Sequence, residues 1–293
     1  MTAQREILVG VDGSPESDAA VVWAAAEAAS RGTGLVVVHA FDTGSIGLWL
    51  TTSSIRSGLR ELAQPLIDDA LRLVAGREPT VSARGRVVIG GPTRMLLLLS
   101  RQVELTVIGR SGHGALARMW LGSITQRLVA HAGSPVVAVG HVTQGSRPAE
   151  LARVTVGVEL GARDDTTLRF AFDEAQGRDV PLNVVHAVQL DTWTTATDAV
   201  PAALVREAEE RQAKVLTRWE ADYPAVGVTS IVRTGRPGSV LASACKPSDL
   251  LVLGHHRQAP FAPHQLGPVA AQALQEAPCA VAVVHEPAAH VPD

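Results

Sequence analysis

The sequence predicts an α/β protein built from two tandem repeats of a five-stranded parallel sheet flanked by helices. Three observations predict it. Short β-branched runs alternate with longer helical stretches, the runs are apolar almost throughout, and the pattern recurs once at about half the chain length. Strands alternating with helices build βαβ units, hence parallel neighbours joined by a helix that crosses the sheet. Strands apolar on both sides belong to a sheet covered on both faces.

In the first half the expected strands are about 6–11, 35–40, 81–89, 104–109 and 135–139, each bounded by Gly, Pro or Asp. The first helix spans Glu16 to Ser30 and is rich in Ala. Ser14 or Ser17 can cap its start by accepting a free backbone N–H, and Gly32 can stop it. Residues 56–76, 92–102 and 122–132 supply the remaining helices.

The second half repeats this order. Ile7-Leu-Val-Gly-Val-Asp12 is echoed by Val154-Thr-Val-Gly-Val-Glu159, Leu35-Val-Val-Val-His-Ala40 by Leu182-Asn-Val-Val-His-Ala187, and Leu105-Thr-Val-Ile-Gly109 by Leu250-Leu-Val-Leu-Gly254. Positions 12, 39 and 109 map to 159, 186 and 254, offsets of 147, 147 and 145. Three matches in one order at nearly one offset mark a duplication, not a short-period solenoid. The polar, turn-forming Gln144-Gly-Ser-Arg-Pro148 places the boundary near residue 147, with domains over 1–143 and 150–288.

A chain of 293 residues accommodates two domains, each large enough for its own core. The composition is 46% hydrophobic and 19% charged, with a formal net charge of -3. Acidic and basic residues are mixed throughout, so no electrostatic footprint for nucleic acid or an anionic membrane surface is expected. Cys245 and Cys279 are not a CxxC pair, and two thiols make no disulfide framework; a reducing cytoplasm is the expected location. The apolar stretch Ile7 to Val11 is too short for a signal-peptide core, and no membrane-spanning run follows.

In such sheets ligands bind beyond the carboxyl ends of the strands, where the strand order reverses. The strand ends to watch are Gly10–Asp12, His39–Ala40 and Gly109 onwards. After the fourth strand comes Gly109-Arg-Ser-Gly112-His-Gly114-Ala-Leu-Ala-Arg-Met-Trp-Leu-Gly122-Ser123. Its glycines allow sharp turns and let backbone approach a ligand without an intervening Cβ. Gly122 and Ser123 fall at a helix start, where free N–H groups and the positive end of the dipole favour an anion. This is a phosphate cradle made of backbone. It is neither of the two commonest ones: the first half has no lysine for GxxxxGK[ST], and the first strand is followed by Gly10-Val-Asp-Gly-Ser-Pro15 where GxGxxG belongs. Each part has a structural role of its own to weigh: a plain turn for the loop, an N-cap for Ser123, an Asx turn for Asp12.

The spacing Gly109-x2-Gly112-x9-Gly122-Ser123 resembles the ATP-binding signature of the universal stress protein family. So do Val-Gly-Val-Asp12-Gly-Ser and the second strand ending in Val-Val-His-Ala40. The resemblance covers nearly the whole chain, once per half, as in tandem-domain members, and implies an adenine-nucleotide α-hydrolase-like, Rossmann-like fold. It implies that Asp12 bonds the ribose or adenine edge, with Val38, His39 and Ala40 close to the adenine ring. Gly109 and Arg110 would border the ribose, Gly112, His113 and Gly114 would wrap the phosphates, and Gly122, Ser123 and Ile124 would cap them. Gly10 and Ser111 complete the implied set, and Arg110 and Arg118 could add charge-assisted contacts to phosphate oxygens. The implied ligand is ATP, with AMP and cyclic AMP not distinguished and Mg2+ able to accompany the phosphates.

In the second half the equivalent stretch is Gly254-His-His-Arg257-Gln-Ala-Pro-Phe-Ala-Pro-His-Gln-Leu-Gly267-Pro268. Gly112 is replaced by Arg257, Ser123 by Pro268 and Asp12 by Glu159, so weak or absent ATP binding is expected there. Arg257 could fill the vacated phosphate space. His255, His256 and His264 lack a carboxylate or cysteine at ligand spacing, and no metal site is expected.

No Ser/His/Asp order and no Cys/His pair marks a catalytic centre, and His113 beside a phosphate is expected to donate a hydrogen bond. The resemblance thus implies a nucleotide-dependent regulator of stress response or growth arrest, with slow ATP hydrolysis at most. The alternatives are a nucleotide-free interaction scaffold and, less favoured, an adenine-nucleotide-using enzyme. The runs Pro135–Val139 and Ala280–Val284 match the strand that pairs across the family's dimer; an intramolecular pseudo-dimer, a homodimer and an unidentified protein partner are expected.

Overall fold

The structure is a computed structural model and describes residues 6–41, 53–111, 121–140, 152–161, 164–189, 199–246, 249–255 and 266–285. The chain divides into two compact units, Met1–Glu150 and Leu151–Asp293.

The first unit runs β1 (Glu6–Gly10), α1 (Pro15–Arg31), β2 (Gly34–Phe41), α2 (Ser53–Arg77), β3 (Ala83–Ile89), α3 (Pro92–Leu99), β4 (Leu105–Gly109), α4 (Ser123–His131) and β5 (Val136–Val139). Its strands are parallel in the order β3-β2-β1-β4-β5, with Gly10 opposite Val38, Val9 opposite Val107 and Ile108 opposite Ala138. The order reverses between β1 and β4, so the connections after these two strands diverge and leave a crevice. Helix α1 packs with α2, and α3 with α4. With right-handed crossovers the reversal puts the two pairs on opposite faces.

Local signals set the ends of α1. Ser14 takes an extended conformation and its side chain accepts the Ser17 N–H, Pro15 opens the helix, and Gly32 closes it at φ +60°. Such an N-cap contributes roughly 0.5–2 kcal/mol. Helix α3 differs slightly from its expected span of 92–102. It ends at Leu99, and Ser100–Gln102 tighten into a 3-10 turn. Buried Ser100 donates to the Leu97 carbonyl and accepts the Gly133 N–H at 2.9 Å, fixing that tighter turn. Ile7, Leu8, Val9, Leu35, Val37, Leu105 and Val107 form the buried strand layer, with Trp23 of α1 against it.

The second unit runs β6 (Arg153–Gly157), α5 (Asp165–Gly177), β7 (Leu182–Val188), α6 (Ala199–Asp222), β8 (Val228–Thr234), α7 (Pro237–Ser243), β9 (Asp249–His255), α8 (Pro268–Glu276) and β10 (Ala280–His285). Its parallel order, β8-β7-β6-β9-β10, reproduces that of the first unit. Phe172 of α5 stacks on Trp219 of α6 at 5.5 Å between ring centroids. Within α5's last turn and the residue after it, Glu174 and Arg178 pair at 3.4 Å, both buried; burial brings the guanidinium down to about 10, still charged at neutral pH.

Helix α2 lies so close to β3 that a Cβ at Gly85 would fall 2.1 Å from Ile67 Cγ2. Ile67 is fully buried and has little room to yield. Gly85→Ala is expected to destabilise the chain by about 1–3 kcal/mol through overpacking, read as a lower urea midpoint for the first unfolding transition.

Candidate functional site

The crevice of the first unit is built on the ends of β1 and β4. At β1 the pairing continues one residue further, with the Val11 N–H donating to the Val38 carbonyl at 2.9 Å. The Val11 carbonyl then accepts from His39 Nδ1 at 2.8 Å. A carbonyl can only accept, so Nδ1 carries the proton and Nε2 of the neutral ring is left as an acceptor. His39 therefore fastens the β1 loop to β2. Asp12 forms an Asx turn, its Oδ1 accepting from Ser14 N at 3.0 Å and from Ser14 Oγ at 2.6 Å. The same Ser14 hydroxyl caps α1, and Ser17 Oγ donates back to the Ser14 carbonyl at 2.9 Å. Gly13 makes the turn at φ +81°.

At β4 the reason for glycine is packing: a Cβ at Gly109 would lie 3.0 Å from the backbone carbon of Glu16. Gly109 thus admits the start of α1 against the strand end. The Arg110 N–H donates to the Val139 carbonyl at 2.8 Å, and the Arg110 carbonyl accepts the Gly122 N–H at 3.0 Å. This second bond ties together the two ends of the glycine-rich loop. Buried Thr125 adds a third tie by donating from Oγ1 to the Gly109 carbonyl at 2.9 Å. Gly122 is the extended N-cap of α4, with no side-chain cap, and Ser123 is the exposed first helical residue. The backbone of α4 therefore starts where an anion would find free N–H groups.

The structure brings Gly10, Asp12, His39, Ala40, Gly109, Ser111, Gly122, Ser123 and Ile124 to the carboxyl end of one sheet or to the helix start beside it. Val38 is buried, and its carbonyl holds the loop after β1. The Arg110 guanidinium lies against the backbone of Gly140, where an added Cβ would be 3.2 Å from Cζ. Gly112, His113, Gly114 and Arg118 lie outside the described residues, as do His256, Arg257 and His264. Thr125 was not among the residues singled out from sequence; a hydroxyl three places after the cap glycine is its only local signal.

The second unit keeps the strand-end framework and rebuilds the turn. Val158 N–H donates to the Val185 carbonyl at 3.0 Å, and His186 Nδ1 donates to the Val158 carbonyl at 2.9 Å. Leu160 occupies the left-handed position at φ +62°, equivalent to Gly13. Asp164, buried, clamps the turn by accepting from Glu159 N at 3.2 Å and from Gly161 N at 3.1 Å. Arg211 donates to the Leu160 carbonyl at 3.1 Å. Helix α8 starts from Gly267 at φ -59°, ψ 149°, as α4 does from Gly122 at -60°, 144°. Pro268 leaves the helix start intact, since the first helical position suits proline. A cavity of about 180 Å³ opens at these strand ends, lined by Gly157, Val158, His186, Leu253 and Ala270 among others.

Among the described residues no cluster of three or more His, Cys, Asp or Glu could hold a metal ion. No helix among them is long and apolar enough to cross a membrane.

The fold defines a doubly wound α/β protein with a crevice at the strand-order switch. The model of the universal stress protein family matches it twice, over residues 4–140 and 150–285. Universal stress protein Rv2005c of Mycobacterium tuberculosis is 32% identical over 290 residues, covering 97% of this chain and 98% of the relative. Universal stress protein Rv2623 of the same organism is 30% identical over 291 residues, covering 96% of each. The crystal structure of a universal stress protein from Archaeoglobus fulgidus superposes with a TM-score of 0.69 at 16% identity, covering 97% of both chains. The chain belongs to the universal stress protein family, as a tandem-domain member.

Asp18, in the first turn of α1, has its carboxyl pushed above the ordinary range by burial, then by the negative charges of Asp12 and Asp69. A carboxyl pKa raised by folding favours the folded state at low pH, and that contribution is lost as pH rises through the folded value. Ionised Asp18 therefore costs stability at neutral pH. Asp18→Asn is expected to raise the melting temperature at pH 7, with the gain shrinking as pH falls through the raised folded value and gone below the ordinary carboxylate range of about pH 4; thermal melts at pH 7 and below pH 4 check this.

Proposed function

We propose that the first unit binds an adenine nucleotide in the crevice between the ends of β1 and β4, and that occupancy makes the protein a nucleotide-dependent regulator. The observation that carries this reading is the loop from Gly109 to Gly122. It has the glycine spacing of a backbone phosphate cradle, and its ends are closed on each other by the Gly122 N–H to Arg110 carbonyl bond. ATP is the proposed ligand, with AMP and cyclic AMP as variants of the same chemistry and Mg2+ able to accompany the phosphates. Gly112, His113 and Gly114 would surround the phosphates, the start of α4 at Ser123 and Ile124 would cap them, and His39 Nε2 would face the base as an acceptor.

The reading assigns the working motif to a domain over 1–143 and a degenerate one to 150–288. Cys245 and Cys279 are buried and not joined in a disulfide, which supports a cytoplasmic location. Turnover is not part of the proposal beyond slow hydrolysis.

The test is the nucleotide retained by the purified protein, released by denaturation and resolved on a column, beside a Gly112→Ala, Ser123→Ala variant. About one adenine nucleotide per chain, lost in the variant, is expected. No retained nucleotide and no binding on ATP titration would sink the reading in favour of an interaction scaffold.

A further inference from the structure

The chain's two cysteines lie side by side in the second unit, at the end of its sheet opposite the crevice. Helix α7 returns the chain to the start of β9, and Cys245 follows that helix; Cys279 immediately precedes β10. Their side chains meet in a thiol–thiol hydrogen bond. The Cys245 sulfur is also 3.3 Å from the Leu241 carbonyl oxygen and lies beside the hydroxyl of buried Thr155. Both cysteines are buried, at 8% and 3% exposure, yet they are shallow, since their chain neighbours Lys246 and Pro278 are exposed.

The first unit shows what these two positions do when they carry hydroxyls. At the offset of 145 that relates Gly109 to Gly254, Cys245 stands at the place of Ser100 and Cys279 at that of Ser134. In the first unit each hydroxyl has a partner of its own. Ser100 Oγ accepts the Gly133 N–H at 2.9 Å, and Ser134 Oγ bonds Thr106 Oγ1 at 2.9 Å. Neither partner has a counterpart in the second unit, where Pro278 replaces Gly133 and has no N–H, and Leu251 replaces Thr106. The contact made instead is between the two thiols. Sulfurs already in contact need little movement to reach a bond of about 2.05 Å, and the fold holds them at a high effective concentration.

We propose that Cys245 and Cys279 are a redox modification site, at which a hydroperoxide converts the pair to an intramolecular disulfide. One sulfur, as its thiolate, attacks a peroxide oxygen; the O–O bond breaks, leaving a sulfenic acid, and the departing oxygen takes the thiol proton. The second sulfur attacks the sulfenic sulfur, the S–S bond forms, and the hydroxyl leaves as water with the second thiol proton. Two electrons pass from the sulfurs to the peroxide, and a small thiol restores the pair by disulfide exchange. The contact with Cys279, then burial, hold the Cys245 thiol above its ordinary range. It is protonated at neutral pH and slow to react, so the site answers sustained exposure and not a brief pulse. The disulfide ties the run from β9 through α8 at both ends, whatever the crevices bind.

The test exposes the full-length chain to hydrogen peroxide, stops the reaction with catalase, unfolds the chain in N-ethylmaleimide and reads intact mass and peptide maps. The expected product is about 2 Da lighter than the reduced chain, through loss of two hydrogens, and takes up no N-ethylmaleimide. Its Cys245 and Cys279 peptides are linked, dithiothreitol reverses the link, and the oxidised chain melts several degrees above the reduced one. Cys245→Ser and Cys279→Ser, each the residue type of the first unit, should abolish both the linked species and the melting shift. Far-UV circular dichroism confirms the fold of each, so one suffices if the other does not fold. Two alkylatable thiols after an exposure that oxidises free glutathione in the same solution would overturn the proposal. So would sulfinic acid at either cysteine, bridges between chains, or a bridge that forms only in urea.

Discussion

The carbonyl at the end of the central strand imposes the constraint on which both crevices depend. A parallel sheet that hands its chain directly to a helix leaves backbone polar groups at the strand tip, close to the core and short of ladder partners. Filling that space with another strand would close the crevice. Here a histidine at the end of the neighbouring strand accepts the duty, through His39 to Val11 at 2.8 Å and His186 to Val158 at 2.9 Å. The bond fixes the loop after the first strand, the tautomer of the ring and the acceptor it presents. The start of the following helix is in turn placed by that loop.

From this shared framework the two units diverge in how the turn is held. The first uses glycine at the left-handed position and a relay from Asp12 through Ser14 to Ser17, all within six residues. The second puts leucine there, a conformation that costs roughly 1–2 kcal/mol for a residue with a Cβ. Burial of the Leu160 side chain, the Asp164 clamp and the Arg211 bond offset that cost. Beyond the histidine bond common to both, the second turn adds one long-range contact, from Arg211, to its local Asp164 clamp, whereas the first is closed by local contacts.

Much of this was legible in the residues. The alternation of strand and helix, the duplication and the caps of α1 depend on periodicities and hydrogen bonds a few residues long, which a sequence carries directly. Ser14 caps α1 and Gly32 ends it within a residue of the expected limits. The importance of the strand ends was legible too, because ligand position follows from strand order in such sheets. What His39 does was not, because its partner is 28 residues away. Gly109 likewise reads as a ligand-facing glycine, yet the close neighbour of its missing Cβ is Glu16 of α1.

The sequence by itself determined the elements, their number and order, the repeat, and which copy retains a phosphate-cradling glycine spacing. Tertiary structure alone decided that Thr125 ties the loop base to Gly109, that Asp164 replaces the Asp12 relay, and that Pro268 leaves a helix start unchanged. It also decided that a cavity opens at the strand ends of the second unit, lined by both apolar side chains and Glu159, Asp164 and His186. The physical reason is range. Propensity, capping and hydrophobic period act over a turn or two of chain, while a cavity or a cross-strand hydrogen bond exists only once segments remote in sequence have been packed side by side.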